Sequence, residues 1–91
     1  MAIGIYFGNA NFPADKYDEA IARLDAAGAS APDGRSYHVA LEQDGKINVF
    51  DVWESQEAFD AFGATLMPIL TELGVDPGTP VAMPAHNVIV G

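Results

Sequence analysis

The sequence contains no cysteine. That excludes a disulfide framework, a thiolate metal site and a cysteine nucleophile, and it fits a reducing cytoplasm as the expected location. Positive charge is scarce. Lys16, Arg23, Arg35 and Lys46 stand singly against 13 acidic residues, for a net charge of −9. A nucleic-acid binder needs a basic face, and anionic membranes and polyphosphates repel a chain of this charge. Neither nucleic acid nor membrane is therefore an expected partner. No apolar run approaches the ~20 residues of a membrane span. The opening MAIGIYFGNA has no basic n-region and no long apolar core, so it does not read as a signal peptide. Phosphate loops, the Rossmann glycine fingerprint and the nucleophile elbow are missing, and no cofactor is expected.

What the chain has in plenty is apolar surface, 49% of its 91 residues. A chain of this length reads as one domain, residues 1–91. It buries only roughly 60–65% of the surface its unfolded form exposes. An apolar face left wet after folding therefore calls for self-association, and a homodimer is the expected state.

The centre of the sequence is SYHVALEQ-DG-KINVFDVW, residues 36–53. Asp-Gly between two β-rich runs is the strongest short-range hairpin signal. With Asp44-Gly45 as a two-residue turn, Gln43 faces Lys46 and, further out, His38 faces Asp51. One face then carries Tyr37, Val39 and Leu41 against Val52, Phe50 and Asn48. The other carries Ser36, His38, Ala40 and Glu42 against Trp53, Asp51, Val49 and Ile47. The first face is the greasier and is the expected core face.

Around this hairpin the remaining elements fall into order. Ala2–Phe7 reads as a strand, with Ile3, Ile5 and Phe7 on one face and Gly4, Tyr6 and Gly8 on the other. Glycines there suggest close approach by a ligand or another chain segment. Pro13 suits the first position of a helix. Tyr17, Ile21 and Leu24 form its buried stripe, and Gly28 its C-cap. Ser55 caps a second helix with stripe Phe59, Phe62, Leu66, Ile69 and Leu73. Pro68 is expected to kink or split it. Gly74 ends it, with Val75 making the hydrophobic contact. Val81–Val90 reads as a last strand, held to an edge or a bulge by Pro84. The order βαββαβ specifies an α+β, ferredoxin-like fold: a four-stranded antiparallel sheet with two helices on one face.

The junction VWESQEAFDAF, residues 52–62, together with this element order, resembles the dimeric α/β-barrel proteins, the antibiotic-biosynthesis-monooxygenase-like superfamily. The resemblance implies a homodimer whose two sheets close into one barrel. It also implies a pocket between sheet and helices for a small apolar or aromatic ligand. Members include cofactor-independent monooxygenases of aromatic polyketides, isomerases, cyclases and haem-degrading enzymes. Trp53 matches the tryptophan that shapes the pocket of the haem-degrading members. Their helix histidine has no counterpart in DAFGATLMPIL, residues 60–70, and their first-strand asparagine corresponds at best to Asn9. Haem degradation is accordingly not expected.

The chemistry-bearing residues are few. His38 beside Asp51 is a dyad able to move a proton to or from an enol, phenol or carbonyl, the carboxylate fixing the ring. The plainer account is a cross-strand hydrogen bond satisfying a half-buried histidine. Trp53 offers a flat wall for an aromatic ligand, or simple core packing. Tyr6 offers a hydroxyl donor, or a dimer contact. His86 offers a second acid–base group, or an exposed histidine. His38, His86 and Asp51 or Glu42 have the ligand types of a metal site but no local spacing for one, so no metal is expected. The reading that follows is a small-molecule-binding dimer, with cofactor-independent monooxygenase or proton-transfer activity on an aromatic or polyketide-like substrate. His38 and Asp51 would be catalytic, with Trp53, Tyr6 and His86 at the ligand. The alternative is a non-enzymatic ligand-sensing or stress-associated dimer.

Overall fold

The computed structural model describes residues 2–8, 11–76 and 78–91. Strand β1 (Ile3–Phe7), helix α1 (Ala14–Ala26), strands β2 (Arg35–Gln43) and β3 (Lys46–Trp53), helix α2 (Gln56–Leu73) and strand β4 (Val81–Pro84) follow in that order. The sheet is antiparallel with order β2-β3-β1-β4. This is the ferredoxin-like α+β arrangement. Asn9 lies outside the described residues.

Hairpin β2–β3 turns where its sequence dictates. Asp44 (φ 54°) and Gly45 (φ 78°) both take the positive φ that a type I′ turn requires. His38 pairs with Asp51, Ala40 with Val49 and Gln43 with Lys46. The register breaks once, between Arg35 and Tyr37. Arg35 pairs with Trp53 where Ser36 was expected to, so Ser36 is the extra residue of a bulge.

The helices cover the face opposite to the expected one. Ile5, Leu24, Trp53 and Phe62 form one buried cluster, and Phe12, Ala20, Leu70, Leu73 and Val75 another. Ile47, Val49, Asp51 and Trp53 of β3 therefore point at the helices, and Tyr37, Leu41 and Phe50 point away. Both faces of the hairpin are apolar, and β1 decides between them. Ile5 pairs with Asp51 and Tyr6 with Phe50, so the strongly apolar Ile3/Ile5/Phe7 face of β1 carries Asp51 and Trp53 with it. The room over Gly4 is taken by the Phe50 ring, and that over Gly8 by the Tyr6 ring.

Both helices end in Schellman geometry. Ala29 N–H donates to Leu24 C=O and Gly28 N–H to Asp25 C=O; Val75 N–H donates to Leu70 C=O and Gly74 N–H to Thr71 C=O. Ser55 Oγ accepts from Ala58 N–H at 3.1 Å, capping α2. Pro13 is the N-cap of α1, one place earlier than expected. Pro68 does not split α2, which runs unbroken to Leu73. Both Pro68 and Ala64 are exposed, so the carbonyl that loses its partner there can turn to water. Strand β4 stops at Pro84, short of the expected Val90, and forms one edge of the sheet. No described helix is long and apolar enough to cross a membrane.

Candidate functional site

Three elements deliver one chain of hydrogen bonds. Asp51, on β3, is 4% exposed, and both its oxygens are occupied. Oδ1 lies 2.5 Å from His38 Nδ1, across the hairpin. Oδ2 accepts from the Trp53 indole N–H at 3.3 Å. An ionised carboxylate only accepts, so His38 Nδ1 carries the proton. That leaves Nε2 of the neutral ring as an acceptor, and the Tyr17 hydroxyl donates to it at 2.7 Å. The Tyr17 and His38 rings lie nearly parallel, 5° apart, with centroids separated by 6.1 Å. The order Trp53–Asp51–His38–Tyr17 thus runs from the packed core to a cavity.

That cavity lies between sheet and helices and measures about 60 Å³. Tyr17, His38, Asp51 and Arg35 supply its polar atoms, and Phe7, Phe12, Leu24, Phe59, Phe62 and Leu66 are among its apolar walls. The space has room for a few waters. A ring-sized ligand has to displace side chains at the rim, where Ile21 is exposed and Arg35 half-buried.

Burial pushes the Tyr17 phenol above its ordinary value of 10.0, Asp51 and Asp18 push the same way, and the Arg35 guanidinium opposes them. The folded chain holds this proton more tightly than the unfolded chain. Its contribution to stability is complete below about pH 10 and is lost as pH rises through the raised value. A wild-type minus Tyr17→Phe difference titration, read by phenolate absorbance, should have its midpoint above pH 10. A midpoint at or below that value would show the hydroxyl is not held as described.

The structure brings His38 and Asp51 together and places Trp53 behind them. The indole is fully buried against Phe59 and Phe62; it holds Asp51 through its N–H and does not line this cavity. Tyr6 sits on the other side of the sheet and is 41% exposed, apart from the cavity because strand alternation sends it away from Ile5. His86 is exposed in the segment after β4, beyond the strand expected to present it. Among the described residues, no three His, Cys, Asp or Glu side chains gather as a metal set. Two cavity residues escaped the sequence reading. Tyr17 looked like one more member of an apolar stripe. Arg35 looked like a lone cation before the hairpin.

No protein-family model and no curated protein sequence matches the chain. Solved structures do. The chain is similar to SnoaB, a cofactor-independent oxygenase from Streptomyces nogalater, at 18% identity over 97% of this chain and 93% of that one, with a TM-score of 0.60. It is similar to Rv0793 from Mycobacterium tuberculosis at 17% identity over 99% and 100%, TM-score 0.63. A candidate antibiotic biosynthesis monooxygenase from Deinococcus radiodurans aligns at 17% identity over 99% and 97%, TM-score 0.62. Likeness at this level of identity is likeness of fold.

Proposed function

From the ferredoxin-like fold this chain shares with antibiotic-biosynthesis-monooxygenase-like structures, we propose a cytoplasmic enzyme that removes a proton from an aromatic or polyketide-like substrate, with or without oxygen addition. One observation carries the reading: a buried Asp51 holds a half-buried His38 that ends on a phenol at the edge of an apolar cavity. Asp51 fixes the ring and supports its protonated form. His38 Nε2 is the base. Because Tyr17 occupies Nε2, a substrate proton reaches His38 through the phenol oxygen, which can accept one hydrogen bond while donating another. The carbanion or enolate that results is electron-rich enough to react with oxygen, or to be reprotonated elsewhere as an isomerase would do.

The working form is a homodimer on this proposal. Tyr6, Tyr37, Leu41, Val81 and Met83 are exposed on the sheet face without helices, a contiguous apolar area of the kind that marks an interface. The proposal covers all of residues 1–91 as one domain.

Anthrone is a suitable test compound, since its methylene proton is acidic and the carbanion takes up oxygen: anthrone and O₂ give anthraquinone and water. The expected result is oxygen uptake and quinone absorbance above the uncatalysed rate, from a species sedimenting at twice the chain mass. Loss of the proton without uptake, seen as deuterium exchange, would assign the isomerase branch. Neither uptake nor exchange would favour the second reading, a non-enzymatic ligand-sensing or stress-associated dimer. The small void and the closed packing around Trp53 support that alternative.

A further inference from the structure

The bulge in β2 has a counterpart in the cavity. In unbroken alternation Arg35 would share the outer face with Tyr37. The extra residue at Ser36 instead aligns Arg35 with Trp53, and the Arg35 side chain lines the cavity. Bulges commonly re-aim one side chain beside a functional site. The guanidinium is held in place there. One terminal nitrogen donates to Ser30 C=O at 3.0 Å, and its carbon lies 5.9 Å from the centre of the Phe62 ring.

In this strongly acidic chain, Arg23 bridges Glu19 and Glu72. Among the described residues no carboxylate comes within ion-pairing distance of Arg35. The one acid lining the same cavity, Asp51, already has His38 on one oxygen and Trp53 on the other. The cavity therefore holds an oriented cation with free N–H groups, apolar walls and a proton-transfer pair.

We infer that Arg35 is an anion anchor, and that the ligand is a planar apolar acid whose carboxylate pairs with it while the ring system extends toward Tyr17 and His38. Guanidinium matches carboxylate with two parallel hydrogen bonds. The inference deepens the proposed function, and rests on it only for the cavity being a ligand site. It also runs against the general field, because a chain of charge −9 repels free anions. A preference for the acid thus has to come from a local cation.

Benzoic acid and methyl benzoate separate the possibilities, titrated at low salt and neutral pH while backbone amide shifts are followed by NMR. The acid should bind wild type at least about tenfold more tightly than the ester, as expected for hydrogen bonds to a charged group. Arg35→Gln should erase that preference, the acid falling to the affinity of the ester, and an amide spectrum dispersed like that of wild type shows that the fold is intact. Equal binding of acid and ester to wild type, or an acid preference that survives in Arg35→Gln, overturns the anchor but leaves the cavity as a ligand site. Binding of neither compound overturns both. Acid preference in a protein that neither oxidises nor exchanges anthrone would keep the anchor and remove the proposed activity.

Discussion

Trp53→Ala should cost this chain most of its stability. The indole is fully buried between β1 and both helices, and truncating a buried tryptophan costs about 3–5 kcal/mol. A second loss comes with it. Asp51 Oδ2 accepts from the indole N–H, and leaving a buried acceptor unpaired costs about 1–3 kcal/mol more. Domains of this size have roughly 5–15 kcal/mol in total. The variant is expected to be largely unfolded or to melt at a much lower urea concentration, read by circular dichroism because the single tryptophan is gone. Trp53→Phe keeps a smaller aromatic ring and loses the N–H together with part of the buried indole volume, so its loss should be intermediate. A Trp53→Ala chain within about 1 kcal/mol of wild type would contradict the role assigned to the indole.

His38→Gln should have the largest effect on turnover. A positioned general base is worth about 10²–10⁴-fold, and an amide cannot take a substrate proton. Gln is preferred to Ala because its N–H₂ can still donate to Asp51. Alanine would leave Asp51 with the Trp53 N–H alone, and an under-paired buried carboxylate is destabilising and would confuse folding with chemistry. The expected outcome is a folded protein with anthrone turnover reduced at least about a hundredfold. Unchanged turnover would remove His38 from the reaction. Asp51→Asn adds a second readout. The amide can donate to His38 Nδ1, which shifts the ring proton to Nε2 and deprives Tyr17 of its acceptor.

How far the sequence could be read depended on the range of the interaction. The turn at Asp44-Gly45 is local, and it alone sets His38 against Asp51. The caps at Ser55, Gly28 and Gly74 are local too. The covered face of the sheet was misjudged because both faces of the hairpin are apolar, and the arbiter is β1, some forty residues away in sequence. Alternation within β1 already sets Tyr6 opposite Ile5; only the pairing of Ile5 with Asp51, which β1 alone does not reveal, puts Tyr6 on the far side from His38 and Asp51. Tyr17 went unrecognised as a site residue because its spacing is that of a core stripe. Only the docking of α1 on the sheet brings its hydroxyl to His38. The extra residue at Ser36 breaks alternation inside a strand that has no glycine or proline of its own, and Gly34 just before it reads as part of the preceding loop, so Arg35 was likewise hidden.

The corner that aligns the site is also where the molecule should age. Glycine has no side chain to shield its amide nitrogen, so Asp44 can close on Gly45 to a succinimide and reopen as isoaspartate. That product inserts one extra carbon into the main chain at a turn both of whose residues have positive φ. The hairpin would then have to absorb the added length between Gln43 and Lys46, five residues from His38 and Asp51. Old preparations would lose their acid–base pairing without any change in mass.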